Sequence, residues 1–482
     1  VLFLMVRRAP RSTVFPYATL LRSGSARRDK HLEVEAIEGG LSVVGAFNEL
    51  ARGMGYENYR GLRAPIRFAA GFSDPLQPTI FVSQIGEGID ELTRPHRVRV
   101  TDRVVSMNGF ALAEFAERAK PYLPTSTDAS FWYRLAQIAP VLSPMLPPDF
   151  YGDALELEIE NAEGVTFTVR LPYVKYNRLK WQRHEWRVYP GFERREGFDF
   201  DSFRVYEPTG GQKVLLLQWI RFEDDLVEAV DALMEIAVRE AWLDFDLIID
   251  CTLSRGGSLG PYAIQHFSPH AFKTSFGNLR MSDVIPAFVV EEVDEYLEEG
   301  LPGDDWPASL DDGTWRVEWL TRDVLKGYQE RQTYSNNVPF KLAHGPSYSD
   351  GILQPAERHF RGELVCWFSP HGGSHLDQFS AIIHDNGLGY SIGMPTAGYS
   401  NTWEWEEDLK FPGSDRPVAR FMWTIGHTIR PNGNVLEGNP ADVDEWLPVT
   451  REDFLTYYET LVERSLAHLR KSREEPSSGA SQ

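Results

Sequence analysis

The hydrophobic pattern from Val214 onward alternates continuous apolar runs with amphipathic stretches. The runs VLLLQWI at 214–220 and FDLIIDC at 245–251 each contain at least three consecutive apolar residues, which is typical of strands buried on both faces. Between them, the stretch FEDDLVEAVDALMEIAVREA at 222–241 places apolar residues at helical spacing. This order predicts a right-handed βαβ unit with parallel strands.

The same kinds of element return nearer the C-terminus. ELVCWF at 363–368 predicts a further buried strand, LDQFSAIIHD at 376–385 predicts a helix, and YSIGMP at 390–395 predicts another strand. Alternating strands and helices predict a layered α/β domain in this part of the chain.

The first part of the chain has strand periodicity instead. ALELEIENAEGVTFTVRLPYV at 154–174 alternates with period two and predicts a hairpin. DRVVSMNGFAL at 102–112 predicts a strand that ends in a tight turn at Asn108-Gly109. GAFNELARGMG at 45–55 predicts a helix, and residues 114–150 predict a helical, proline-rich insertion. We therefore expect a separate β domain ahead of the α/β domain.

Composition narrows the classes of partner. The 482 residues are enough for two or three domains, and 42% hydrophobic with 25% charged residues is ordinary for a globular protein. The net charge of -21 argues against nucleic acid or an anionic membrane surface as the main partner, and no apolar run reaches the length of a membrane span. Cys251 and Cys366 lie in strand-like runs and are expected to be buried thiols. No cofactor is implied.

The two ends of the chain are set apart from the fold. Residues 11–23, RSTVFPYATLLRS, resemble the translation of a sequencing-adapter read, so residues 1–28 are interpreted as a non-native leader. The polar tail 471–482, KSREEPSSGASQ, is predicted to be disordered.

The most informative motif is SPHGGSHLDQFSAIIHDNGLGYSIGMPTAGYSN at 369–401. Gly372-Gly373 permit close backbone approach just before Ser374, which is predicted to begin a helix. Amides at a helix start lack intrahelical partners and favour negative charge, so a serine there is a candidate nucleophile. The alternative is a serine that only caps the helix.

This order of turn, helix, Asp-Asn-Gly, strand and Gly-x-Pro-Thr-x-Gly resembles the C-terminal processing (tail-specific) serine peptidases. The resemblance puts Ser374 on the nucleophile and Tyr399 on the position of the general-base lysine, so the serine is present and the lysine is absent. It also implies an oxyanion hole formed by backbone amides of Gly256, Gly257 and His375.

The resemblance implies the domain plan as well. The string DRVVSMNG is similar to a PDZ hairpin, which implies a PDZ-like β domain at 76–180 after a small N-terminal segment at 29–75. The catalytic domain at 181–470 is expected to have the crotonase/ClpP-like layered α/β fold, with an insertion at 264–350 that carries an acidic helix.

One branch of the family uses Ser-His-Glu in place of a lysine, and includes tricorn core protease and the chlamydial protease-like activity factor. Asp29-Lys30-His31-Leu32 matches the place of its histidine, and LEGNPADV at 436–443 is similar to its late glutamate motif. The resemblance therefore implies His31 as the base and Glu437 as its orienting carboxylate, with Asp442 and Glu404 as lesser candidates. The alternatives are a surface histidine and an exposed loop glutamate.

Two rival functions remain open from the sequence. His371, His375 and Asp377 form a possible zinc constellation, although His-Glu-x-x-His is missing, and would indicate a metal-dependent hydrolase. The absent lysine also allows a catalytically inactive peptide-binding homologue. The expected partner is a peptide or protein substrate, a homo-oligomer is left open, and the resemblance favours an extracytoplasmic or secreted location.

Overall fold

The computed structural model describes residues 33–36, 42–182, 187–223, 225–299, 317–342, 345–346, 350–410, 413, 415 and 417–474. The expected leader at 1–28 and the candidate base His31 lie outside the described residues. The strands are β1 (Glu33–Ala36), β2 (Leu62–Arg63), β3 (Ile66–Gly71), β4 (Thr79–Ile85), β5 (Arg103–Met107), β6 (Phe110–Ala111), β7 (Ala154–Glu160), β8 (Thr166–Pro172), β9 (Val174–Lys175), β10 (Phe192–Arg194), β11 (Phe203–Pro208), β12 (Val214–Trp219), β13 (Asp246–Asp250), β14 (Phe272–Lys273), β15 (Phe276–Leu279), β16 (Val338–Leu342), β17 (Gly345–Pro346), β18 (Ile352–Leu353), β19 (Leu364–Phe368), β20 (Tyr390–Gly393), β21 (Glu404–Lys410), β22 (Pro417–Thr424), β23 (Gly426–Ile429) and β24 (Glu445–Trp446).

The α-helices are α1 (Ser42–Gly53), α2 (Ile89–Leu92), α3 (Leu112–Ala119), α4 (Asp128–Ile138), α5 (Leu226–Arg239), α6 (Gly260–Phe267), α7 (Ile285–Glu299), α8 (Leu325–Gln329), α9 (His375–Asp385) and α10 (Tyr457–Glu474). Short 3₁₀ turns occupy Lys120–Tyr122, Pro148–Phe150 and Tyr176–Arg178, and a π-helical segment occupies Trp319–Val324. Among the described residues, no helix combines the length and the apolar composition that a membrane crossing requires.

The chain divides into two compact units. The first comprises Val1–Arg187, Glu406–Trp423 and Pro448–Tyr457, and the second comprises the remainder. In the first unit β3, β4, β5, β7 and β8 form an antiparallel sheet in that order, with β6 paired to β5. The burial of β8 alternates strictly along the strand, as its sequence predicts. Helices α3 and α4 pack on the sheet within the stretch expected to be a helical insertion.

The hairpin between β5 and β6 forms where the sequence predicts it. Asn108 and Gly109 both have positive φ, 48° and 84°, which gives the tight turn whose twist matches paired strands. The side chain of Asn108 fixes the turn by donating to the Phe150 carbonyl at 2.7 Å and accepting from the Glu156 amide at 2.9 Å. An asparagine is therefore needed here for its side chain as well as its backbone.

The second unit is built on a mixed sheet of order β10-β11-β12-β13-β19-β20-β24. The pairs from β12 to β24 are parallel, and β10 and β11 are antiparallel additions at one edge. The predicted βαβ unit is confirmed as β12, α5 and β13, with Val214 opposite Asp246. The chain is thus a mixed α/β protein with several sheets.

Helices cover both faces of this sheet. Apolar side chains of α5, α6 and α9 share one buried cluster with Leu215, Leu217 and Cys366 of the strands. Trp367 is the neighbour of Cys366 in β19 and therefore points to the opposite face, where its indole N–H donates to Ser465 of α10 at 2.7 Å. The serine-bearing turn follows directly after β19 and so leaves the sheet from its centre.

The C-terminal helix extends further than expected. The sequence predicts a disordered tail that begins at Lys471, but α10 continues to Glu474. The cause is an ion pair from Arg473 to the nearly buried carboxylate of Asp246, which holds the last helical turn against the sheet. Residues 475–482 lie outside the described part of the chain.

Candidate active site

A glycine-rich turn connects β19 to α9. A Cβ on Gly372 would lie 2.1 Å from the Ser254 carbonyl oxygen, and one on Gly373 would lie 2.6 Å from the Asp377 carboxylate. Both distances are far inside van der Waals contact, so any side chain would force the turn open. The sequence uses glycine here because the backbone runs against its neighbours.

Ser374 is held in a rare backbone conformation at the start of α9. Its φ of 60° and ψ of −125° lie outside the regions that residues with a side chain ordinarily adopt, which costs on the order of 1–3 kcal/mol. Its amide donates to the Tyr399 carbonyl at 2.6 Å. Its side chain makes no capping hydrogen bond to the helix, so Ser374 is not a conventional N-cap serine.

The Gly256-Gly257 turn borders this serine. A Cβ on Gly256 would lie 2.7 Å from the Ser374 Cβ and 3.2 Å from the His375 amide nitrogen. On its other side the turn pairs with Phe222, whose amide donates to the Gly256 carbonyl and whose carbonyl accepts from Ser258. In such a parallel bridge the amide of Gly257 points away from Phe222. The structure thus brings Gly256, Gly257 and the His375 amide to one place, at the N-terminus of α9.

The side chain of His375 joins α9 to the start of α6. Its imidazole is fully buried, and Nε2 accepts from the Gly260 amide at 2.7 Å. The ring also meets Phe222 edge-on, with centroids 5.1 Å apart. Because Nε2 is an acceptor, the ring is the neutral tautomer with its proton on Nδ1. His375 is therefore a positioning residue whose imidazole is committed to Gly260, the first residue of α6.

Tyr399 lies beside the nucleophile turn, where the resemblance places the missing lysine. Its carbonyl accepts from Ser374, and a Cβ on Gly373 would lie 2.5 Å from its ring. The buried carboxylate of Asp377 accepts from the amides of Gly398 and Tyr399 at 2.8 and 3.0 Å. Asp377 thus ties the 398–399 segment to the first turn of α9.

Glu437 accepts hydrogen bonds from the two residues that follow Tyr399. Its Oε2 accepts from the amides of Ser400 and Asn401 at 3.0 and 3.2 Å, and the following Gly438 amide donates to the Gly398 carbonyl at 2.7 Å. The segment 398–401 therefore contacts both Ser374 and Glu437. The lesser carboxylate candidates, Asp442 and Glu404, are exposed.

A buried ion pair anchors the loop that carries Glu437. Arg430 donates to Asp385 at the end of α9 through Nη2 at 2.5 Å and Nε at 3.1 Å, and the two side chains are only 7% and 3% exposed. The same guanidinium donates through Nη1 to the carbonyls of Asn439 and Pro440. Nothing in the sequence marked Arg430 as part of the site, because its partner lies 45 residues away.

The zinc constellation considered from the sequence does not assemble. Asp377 accepts from backbone amides of one segment and His375 accepts from Gly260. Across the described ranges, no three His, Cys, Asp or Glu side chains come together in a way that could hold a metal ion.

No protein-family model matches this chain, and no curated protein matches its sequence. Its fold does match solved structures. Mature CPAF superposes with a TM-score of 0.66 at 15% identity, over 97% of this chain and 90% of CPAF. This chain has the CPAF fold. A CPAF mutant gives the same TM-score and identity over 99% of this chain and 92% of that one.

A looser likeness is to the photosystem II D1 C-terminal processing protease, with a TM-score of 0.40 and 11% identity over 92% of this chain and 85% of that one. The match to CPAF confirms, at the level of the fold, the family resemblance that the sequence carries.

Proposed function

We propose that this protein is a serine endopeptidase that cleaves peptide bonds through an acyl-enzyme on Ser374. The observation that carries the proposal is the conformation of Ser374, a strained, uncapped serine at a helix N-terminus with a glycine turn packed against it. Strain of this kind persists only where surrounding contacts maintain it, and it presents a hydroxyl away from the backbone. The CPAF fold supports the same assignment.

In the proposed reaction the Ser374 hydroxyl attacks the substrate carbonyl while a histidine takes its proton. The tetrahedral oxyanion is held by amides of the Gly256-Gly257 turn and of His375, and the helix dipole adds to its stabilisation. The C–N bond then breaks, the histidine returns the proton to the leaving amine, and water hydrolyses the ester by the same steps.

The base is proposed to be His31, with Glu437 orienting its imidazole. Tyr399 is unsuited to the role because a phenol ordinarily has a pKa of about 10. His375 is unsuited because its accepting nitrogen already bonds to Gly260. Glu437 accepts a hydrogen bond from the segment whose Tyr399 carbonyl accepts from Ser374, which supports this triad.

The proposal extends to the fold of each unit. We infer a crotonase/ClpP-like catalytic domain from the layered sheet of the second unit, and a PDZ-like domain from the antiparallel sheet of the first. From these two domain types we infer that the protein is a tail-specific peptidase.

A fluorophosphonate probe tests the proposal directly. We expect a covalent adduct on Ser374 that the Ser374→Ala variant lacks, with peptide hydrolysis reduced at least about a thousandfold. Ser258→Ala removes a hydroxyl from the neighbouring turn and should keep the adduct. A folded protein that takes no label would favour the inactive peptide-binding homologue, and hydrolysis abolished by a chelator would favour the metal-dependent hydrolase.

A further inference from the structure

A concentration of positive charge lies on the first unit, outside the candidate active site. Strands β2 and β9 pair with Leu62 opposite Lys175 and Arg63 opposite Val174, and the segments around them carry several cations. Among the described residues none of these cations forms an ion pair, although the whole chain has a net charge of -21. We call this set the basic patch: Arg60, Arg63, Arg67, Lys175, Arg178 and Lys180.

Two arginines at the centre of the basic patch share one aromatic ring. The guanidinium carbons of Arg63 and Arg67 lie 5.3 and 4.4 Å from the centre of the Trp181 ring. Both side chains are half-buried, and the Nε atom of each is buried without an acceptor among the described residues. Burial and the neighbouring Arg67 lower the pKa of Arg63 to about 10.

Arg67 donates a long hydrogen bond from Nη2 to the Tyr176 hydroxyl at 3.5 Å, but neither arginine has a carboxylate partner among the described residues. Two like charges held near each other and out of water destabilise the fold unless an anion compensates them. Among the described residues of the adjoining segments, the acidic Glu57 and Glu87 are exposed, and neither forms an ion pair with the patch. Planar oxyanions match the guanidinium fork, which can bind both oxygens of a carboxylate.

We propose that the basic patch is a docking site for an acidic polypeptide segment, with Arg63 and Arg67 binding its carboxylates. The exposed cations Arg60, Arg178 and Lys180 lie on the adjoining segments of the chain and add attraction at longer range. Lys175 stabilises the local backbone, because its Nζ donates to the carbonyls of Asn58 and Arg60.

A peptide fits this surface better than a nucleic acid does. Single-stranded nucleic acids bind by stacking bases on aromatic rings, but two guanidinium groups already cover Trp181. The net charge of -21 also opposes a long polyanion more strongly than a segment with a few carboxylates.

The test is binding of fluorescein-labelled hexaglutamate, followed by anisotropy, to the full chain carrying Ser374→Ala. This background keeps the measurement independent of whether the chain cleaves peptides. We expect hexaglutamate to bind and hexaglutamine not to bind, with affinity falling between low salt and about 150 mM salt. Replacing both Arg63 and Arg67 with glutamine should weaken binding about tenfold or more.

The matched control is Arg99→Gln, which changes an exposed arginine of the same unit outside the patch and should leave binding within about twofold. Circular dichroism shows whether the double arginine variant is folded. If it is unfolded, the variant Arg178→Gln with Lys180→Gln is used in its place, since both side chains are exposed. Equal binding of hexaglutamine, or affinity unchanged in the variants, would overturn the proposal. Tighter binding of an oligothymidylate would reassign the patch to nucleic acid, and displacement by inorganic phosphate at equal concentration would reassign it to a small anion.

Discussion

Substituting Gly256 with alanine tests whether the glycine turn borders the reacting atoms. The added Cβ would lie 2.7 Å from the Ser374 Cβ, 2.8 Å from the Gly373 carbonyl oxygen and 3.2 Å from the His375 nitrogen. Carbon atoms settle at about 3.5–4.0 Å, so the turn and the serine must separate by about 1 Å. Two of the three contacts are to backbone atoms, so a change of rotamer cannot relieve them.

The magnitude follows from that displacement. Overpacking of this kind costs about 1–3 kcal/mol of folding stability. A shift of about 1 Å in a catalytic group lowers the rate on the order of a hundredfold, and loss of one oxyanion donor lowers it by about 10²–10³. We therefore expect kcat/KM to fall at least about a hundredfold in a protein that remains folded.

The assay pairs kcat/KM for a peptide substrate with the rate of fluorophosphonate labelling, both corrected for the folded fraction. Gly210→Ala is the control, because nothing lies within 4 Å of its added Cβ, and it should behave as the parent. If Gly256→Ala is folded and retains kcat/KM within about twofold, the turn does not border the reaction and the proposed oxyanion hole is wrong.

Further substitutions test the base, the loop anchor and the half-buried His266. His31→Ala should lower kcat on the order of a thousandfold, whereas Tyr399→Phe should cost little; in the parent, activity should fall as pH drops below about 6.5. Arg430→Ala should reduce the free energy of unfolding in urea by about 3–5 kcal/mol because it leaves a buried carboxylate uncompensated, whereas the exposed Arg239→Ala should cost under about 1 kcal/mol. Burial lowers the pKa of His266, so its folded state resists protonation; stability should be full above pH 6.5 and decline below it, and His266→Asn should flatten that decline in melting temperature.

Local patterns in the sequence were sufficient to predict several elements. The apolar runs around Leu216 and Ile248 predict strands buried on both faces, and both are interior strands of the sheet. Asn108-Gly109 predicts its turn because few other residue pairs adopt two positive φ angles. These signals are short-range, so the sequence of neighbouring residues is enough to predict the strands and the turn.

The partners of the polar side chains were not predictable in the same way. Asp377 was considered as a metal ligand, but in the structure it accepts from two amides 21 and 22 residues away. His375 was considered for its amide, yet its ring bonds to an amide 115 residues away. Which distant segment meets a side chain depends on the packing of whole layers, and a pattern read along one stretch of chain does not contain that packing.

The functional consequence is that α9 organises the candidate site from both of its ends. Its N-terminus presents Ser374, and its first turn holds the start of α6 through His375 and the 398–399 segment through Asp377. Its last residue, Asp385, holds Arg430 and thereby the loop that carries Glu437. These contacts begin on one buried helix, whereas the Gly256-Gly257 turn is held by Phe222, so the serine keeps its geometry only while α9 stays in place against that turn. The chemistry is then sensitive to changes that separate a partner from α9, such as Gly256→Ala, and tolerant of changes that only lower the stability of the fold.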